Sequence, residues 1–253
     1  MVGPGDLPRG QFTFDAGRLC LDFVNTVQLR PFSHRLELIN TYDDLLAWAR
    51  QATIITPGEA TALAAVARKR GRSALDALAQ VRTLRESAYA IFSCWAAGLP
   101  AQEADLRTLN RAVGQAMAHA GLIQTGSRFE WGWPDTVPEL NRVSWWVVRS
   151  SAELLTSQDL TFVRECAGYD CGRLFMDMTK NRSRRWCDMR TWLVLQPGCR
   201  CTDRHPGCLS EIQLCRCREY DYHAVKLPLD TAFCIRRRRP HRVYRSDRYR
   251  ELC

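Results

Sequence analysis

The stretch from Cys166 to Trp192, CAGYDCGRLFMDMTKNRSRRWCDMRTW, constrains this chain more than any other. Cys166 and Cys171 share a short turn, and Cys187 follows inside an arginine-rich run that starts at Lys180. Thiolates are soft, strong zinc ligands, and two on a tight turn, joined by others returned on a hairpin, form a tetrahedral sulfur cage. A module this small has too little apolar area to hold itself together. Bound Zn2+ supplies the difference, about 10–16 kcal/mol in finger peptides. In a four-cysteine finger the second pair repeats the first, which would put a cysteine at position 192, where the chain has Trp192. The expected ligands are therefore Cys166, Cys171 and Cys187, with a fourth from Cys199, Cys201, His205 or Cys208. Three ligands plus water describe a catalytic zinc. No general base or substrate pocket stands beside these cysteines, so a weakened structural site is the plainer reading.

Locally, Phe162–Glu165 reads as a strand entering the Cys166–Cys171 turn. Arg173–Asp177 and Ser183–Trp186 read as a hairpin across Lys180-Asn181, with Cys187 where a helix would start. That order is treble-clef-like, with Phe175 and Trp186 as its small core. The stretch resembles the CGNR zinc finger family, whose pattern is a Cys pair, a segment like LFxDxSxNxxRRWCSM and then a Cys-Gly-Asn-Arg signature. Leu174, Phe175, Asp177, Asn181, Arg184, Arg185, Trp186, Cys187 and Met189 all stand at matching places. In that family an N-terminal ABATE domain precedes the finger, and GRLCLDFVNTV at Gly17–Val27 looks like its opening signature. The resemblance covers roughly residues 10–191 and stops after Thr191, where the signature should stand.

The resemblance implies a stress-related, DNA-binding transcription regulator and makes Lys180, Arg182, Arg184, Arg185 and Arg190 the DNA-contacting strip. Arginine forks match phosphate oxygens bidentately and can read guanine edges. The body would then sense a small-molecule effector or form a homodimer. On the residues alone, Asp177 and Asp188 could instead pair with part of the strip and leave an ordinary solvated face. The competing functional readings are a protein-interaction module with a purely structural finger, and a degenerate member that no longer holds zinc.

Charge follows the same division. Residues 1–159 carry 16 basic and 16 acidic side chains, so the whole net charge of +9 sits in the finger and the tail. A neutral body with a basic C-terminal module is the distribution expected of a chain that meets a polyanion. Cysteine is as uneven, with two before residue 160, three in the finger and seven in the tail. A secreted disulfide protein would spread its cysteines through the body. Cys20 and Cys94 lie in apolar surroundings and read as small buried hydrophobes. The first residues, MVGPGDLPRG, lack the apolar core of a signal peptide. No apolar run is long enough to cross a membrane, and the expected compartment is the cytoplasm.

The body reads as mainly α with a few short strands, an α+β chain. FTFDA at 12–16 suggests a short strand, and LCLDFVNTV a buried helix or strand-to-helix segment. Asp22 and Asn25 inside it either bond backbone or line a ligand pocket. Pro31 to Asn40 reads as a loop. Thr41 and Thr56 N-cap two helices, the second with Pro57 at its first position and Glu59 completing a capping box. Ser73 opens a long helix with Leu75, Leu78, Val81, Leu84, Ala88 and Phe92 on one stripe. A helix over 101–120, a hairpin around Gly126-Ser127 and a helix opened by a capping box at Thr136 complete it. The last helix carries Trp145 and Trp146 as core. No phosphate loop, HExxH or nucleophile elbow occurs. The body's histidines, His34 and His119, stand alone, so no enzyme is expected.

The expected organisation is a flexible N-terminus (1–9), an α-rich body (10–159), an incomplete finger (160–192) and a basic Cys/Arg-rich tail (193–253). The tail reads as a disordered basic arm, as a metal-rich extension, or as out of frame with the family. Leu195-Gln196-Pro197 can be encoded so that the next frame reads Cys-Asn-Arg.

Overall fold

The computed structural model describes residues 11–31, 35–134, 138–168 and 171–187. The expectations about residues 1–9, His34, Thr136, Asp188, Arg190 and the tail fall outside them. The described chain is α+β and mainly α. Its helices are α1 (Leu19–Val24), α2 (Tyr42–Gln51), α3 (Pro57–Lys69), α4 (Gly71–Ala96), α5 (Glu103–Ala118) and α6 (Arg142–Thr156). Three antiparallel pairs accompany them: β1 (Val27–Gln28) with β2 (Leu36–Glu37), β3 (Gly121–Thr125) with β4 (Arg128–Gly132), and β5 (Val163–Glu165) with β6 (Leu174–Met176). Among the described residues no helix is long and apolar enough to cross a membrane.

The helix starts follow their caps. Thr41 accepts the Asp44 amide and Thr56 the Glu59 amide, and in both boxes the acidic side chain returns to the cap amide. Each arrangement satisfies amide donors that a helix end leaves open. α6 begins at Arg142, later than a cap at Thr136 would place it, with Asn141 at the cap position and no side-chain cap bond. Residues 12–16 form no strand. The Phe12 amide bonds the Gln51 side chain, and Ala16 offers one carbonyl to Met176 (2.8 Å), too little pairing for a ladder. Within the expected loop 31–40, Leu36–Glu37 pairs with Val27–Gln28.

α4 is the spine. Its 26 residues extend about 39 Å at 1.5 Å per residue and pass through all three apolar clusters. Near its start Ala77, Leu78 and Val81 pack with α2, α3 and Phe23 of α1. Further on, Leu84 and Ile91 meet α5 and the tryptophans Trp133 and Trp145. Ala88, Tyr89 and Phe92 face α1, β5 and β6. The buried stripe runs through Ala74 rather than Leu75, which is 64% exposed. Cys20 and Cys94 are both fully buried, and Cys20 is a free thiol, as expected of a small apolar side chain. Trp145 is core and stacks on His119 at 4.5 Å, while Trp146 meets Trp133 edge-on at 4.6 Å.

One polar cluster is built into this core. Arg85, 2% exposed, donates to Thr26, Glu37 and Glu86, and Arg30 donates to Glu86 and the Val24 carbonyl. The Arg30 guanidinium also lies 3.7 Å from the Tyr89 ring centroid. Buried charges are tolerated when paired and hydrogen-bonded in this way. Their effect here is to fix the α1–β1 turn against α4.

Candidate metal centre

The centre stands beside the second half of that spine, with Gly172 of the knuckle close to Tyr89. β5 leads into the first knuckle arm as the sequence suggests, and β6 leaves it. β6 pairs with β5, Val163 opposite Met176 and Glu165 opposite Leu174, and not with 183–186 as a hairpin across Lys180-Asn181 would require. The turn itself is present, because the Arg182 amide bonds the Thr179 carbonyl at 3.1 Å. Burial explains the choice of partner. Val163, Leu174 and Met176 all pack into the cluster formed by α1 and α4, whereas Ser183 and Arg185 are exposed and offer no apolar face.

Asn25 locks this strand to the body. Its side-chain amide donates to the Leu174 carbonyl (2.8 Å) and accepts the Leu174 amide (3.0 Å). Asp22 accepts the Ala16 amide at 2.9 Å, and Ala16 in turn accepts the Met176 amide. Both polar residues therefore bond backbone rather than line a pocket. Contact is tight at Gly17, where φ is +88° and a Cβ would lie 2.9 Å from Met176 Cγ. At the knuckle, Gly172 has φ +64° and a Cβ there would lie 3.1 Å from Arg30 Cβ. Only glycine suits such positions.

Three backbone bonds shape the cysteine cluster. The Cys166 amide bonds the Arg173 carbonyl (2.8 Å), the Cys171 amide bonds Gly168 (3.3 Å), and the Ala167 amide bonds the Arg185 carbonyl (2.8 Å). The last of these draws Cys187 over the knuckle. The Sγ atoms of Cys166, Cys171 and Cys187 then all lie within 4.8 Å of one another. Cys171 and Cys187 are 3.5 Å apart at sulfur, and the Cys187 amide donates to Cys166 Sγ at 3.4 Å. Zinc–sulfur bonds of ~2.3 Å put tetrahedral sulfurs about 3.8 Å apart. The three thiols thus fit one face of such a tetrahedron with little movement. Cys166 is buried, and Cys171 and Cys187 are half-buried.

The thiols share protons as a set. Bonds from the Cys171 and Cys187 thiols pull Cys166 well below the ordinary thiol range despite its burial. Retaining those protons pushes Cys171 up, through Cys166 first. Cys187 is also pushed up, to about 11, by its bond to Cys166 and by burial, against a Coulomb pull from Arg173, which bonds Thr13 and Asp15 nearby. Nothing in the sequence singled out Arg173 or Asp15 beyond their charge.

Asp177 braces the outer loop. It is fully buried, and its two oxygens accept the Thr179 amide (3.0 Å), the Thr179 hydroxyl (2.5 Å) and the Arg184 amide (2.9 Å). Burial works to raise its pKa, but the Thr179 and Arg184 bonds prevail and hold the carboxyl below its usual value. Among the described residues it pairs with no guanidinium of the strip. Arg184 lies half-buried across the loop and donates to the carbonyls of Trp186 and Cys187, with Phe175 beneath it at 4.8 Å. Phe175 is buried and Trp186 only half-buried.

Lys180, Arg182 and Arg185 are exposed, and none of them makes an ion pair among the described residues. Arg182 rests on the Phe162 ring and Arg185 near the Trp186 ring, so their planes are supported while their charge faces water. Arg190 and the fourth-ligand candidates Cys199, Cys201, His205 and Cys208 lie outside the described residues. Among the described residues the cluster has three possible ligands.

The three thiols make this a candidate metal-binding site, and the comparisons agree. The ABATE family model, described as "Putative stress-induced transcription regulator", matches residues 17–158. The CGNR zinc finger model matches residues 163–191, directly after it. No curated protein matches the chain. With more than half its length under the first model and the second following in the expected order, the chain belongs to the ABATE family and carries a CGNR zinc finger.

Proposed function

We propose that this chain is a zinc-dependent, DNA-binding transcription regulator of the cytoplasm and not an enzyme. Residues 10–159 form the sensing or dimerising body, 160–192 the finger and 193–253 a basic tail. Cys166, Cys171 and Cys187 hold Zn2+, with the fourth ligand from Cys199, Cys201, His205 or Cys208. The metal's role is structural: it pins the knuckle to the returning arm. DNA meets Lys180, Arg182 and Arg185, with Arg190 continuing the strip. Arg184 acts from within by holding the carbonyl of a ligand residue. The family description supports a part in stress response, which the body would play through a small-molecule effector or as a homodimer.

The observation that carries this reading is the convergence of three thiols beneath a loop whose exposed cations have no ion-pair partners among the described residues. Two measurements test it. Metal analysis of the purified chain is expected to find about one zinc. DNA titration across a salt series is expected to show log K falling as log salt rises. Replacing Arg182 or Arg185 by alanine should reduce that slope by about 1 each. DNA affinity that ignores salt, in zinc-loaded protein, would sink the DNA assignment.

A second reading has its own support. β6 lies in the core of the body, so a purely structural finger that clamps the C-terminus, serving protein interaction, is also physically coherent. That reading predicts zinc-dependent stability with no salt-sensitive DNA affinity.

A further inference from the structure

The β3–β4 hairpin buries almost nothing. Leu122 (63% exposed), Phe129 (67%) and Trp131 (51%) face water from it. Register puts Leu122 opposite Trp131 and Gln124 opposite Phe129, so these four side chains share one face. Arg128 and Glu130 lie on the other face of β4, exposed and without an ion pair among the described residues. The two-residue turn Gly126-Ser127 makes Thr125 and Arg128 the closing, hydrogen-bonded pair. Bonded and non-bonded pairs alternate along an antiparallel ladder. The amides and carbonyls of Phe129 and Trp131 therefore point away from β3, along the free edge. The Trp131 carbonyl bears this out, since it accepts Arg149 of α6 at 2.8 Å. Among the described residues nothing bonds the Phe129 amide or carbonyl on this edge.

We propose that this edge pairs with its own counterpart in a second copy of the chain. The proposal rests on the homodimer part of the function proposed above and assigns it a surface. An antiparallel pairing centred on a two-fold axis at Phe129 sets Phe129 opposite the other copy's Phe129. Both peptide groups then exchange their outward bonds. The same register brings Arg128 opposite the second copy's Glu130, and Glu130 opposite its Arg128. The charge order along β4 is thus self-complementary about that one residue, as an isologous interface requires. Any other in-line register would put Arg128 or Glu130 opposite an uncharged side chain. Shifting the axis by one residue would set like charges face to face. The product is a four-stranded sheet, β3-β4-β4-β3, that removes an unprotected edge. Its one face gathers Leu122, Phe129 and Trp131 from both copies.

Charge reversal tests the pairing on the full chain by sedimentation velocity over a concentration series. Glu130→Arg sets Arg128 against arginine at both contacts, and Arg128→Glu sets Glu130 against glutamate. Each single variant is expected to weaken the dimer roughly tenfold or more. Mixing the two variants in equal amounts restores opposite charges at both contacts and should return the parent's association. Circular dichroism and melting of each variant should match the parent, because both side chains are exposed. A parent dimer that neither reversal weakens, or a mixture that fails to recover, overturns the hairpin assignment and leaves a dimerising body intact. A parent that stays monomeric at every concentration overturns both. DNA titration of the same samples reads the regulator proposal separately.

Discussion

Between α4 and the segment from Cys166 to Cys187, what is buried changes in kind. α4 hides chiefly alanine, leucine, valine and aromatic side chains, and its partners do the same. Outside its strands, the finger hides Cys166, Gly172 and the carboxylate Asp177. The body is therefore held by area removed from water, which scales with size. The outer finger is held by a few directional bonds to Asp177, Arg184 and sulfur, which scale with nothing but their own number. β6 is where the two regimes meet: it belongs to the finger in sequence and to the body in packing.

The largest expected effect follows directly. Stripping metal from the zinc-loaded chain with a chelator should release the amides of Ala167, Arg184 and Cys187 to fast hydrogen exchange, because their acceptors are the returning arm, Asp177 and Cys166 Sγ. In finger peptides the metal contributes about 10–16 kcal/mol to folding. The amides of α4 should keep their protection, since its packing rests on the three apolar clusters and not on the three thiols of the knuckle. If α4 loses protection in step with the knuckle, the two regions form one cooperative unit and the contrast fails.

Leu174→Ala should give the opposite pattern. The side chain is fully buried among Cys20, Leu21 and Phe92, in the body's cluster. Truncating a buried leucine costs about 2–5 kcal/mol, transfer and cavity together. Denaturant unfolding should lose that amount from the global transition while metal stoichiometry stays unchanged. Loss of the metal with little loss of global stability would show instead that β6 serves the knuckle first.

What the sequence made legible divides along the same seam. Thr41 and Thr56 could be read as caps because a cap is a local matter of one side chain and amides up to three residues away. The thiol trio was legible for a chemical reason: three cysteines at this spacing beside an arginine run are the donor set of a small metal-held module. The partner of β6 was not legible. A three-residue strand shows no period, and the choice between Val163–Glu165 and the 183–186 segment depends on burial by α1 and α4, which lie far away in sequence. Arg184 shows the same limit, since an arginine beside three other cations reads as surface until its carbonyl partners are placed. Leu75 failed for a different reason. A 26-residue helix drifts against any fixed stripe, and one position of drift exchanges Leu75 for Ala74. Asn25 was visible as a polar residue in an apolar run, but its two bonds to Leu174 lie across 149 residues of chain.

Asp22 offers a finer test of the seam, through pH. Burial lifts its carboxyl from 3.8 to about 6, with the bond from the Ala16 amide working against that rise and Arg173 also pulling it down. Asp15 adds a like charge and pushes the same way as burial. A folded pKa above the unfolded one means the native state holds the proton more tightly. The stabilising contribution is then complete below pH 3.8 and is lost as pH rises through about 6. At about 1.36 kcal/mol per pH unit, the loss is on the order of 3 kcal/mol at most. Asp22→Asn keeps an oxygen for the Ala16 amide and removes the titration. The variant and the parent should have similar stability near pH 4. Above pH 7 the variant should be the more stable by up to that amount. Denaturant midpoints at three pH values measure the difference. A gap that does not change with pH would mean that water reaches Asp22, and that the joint between α1 and β6 is looser than its hydrogen bonds imply.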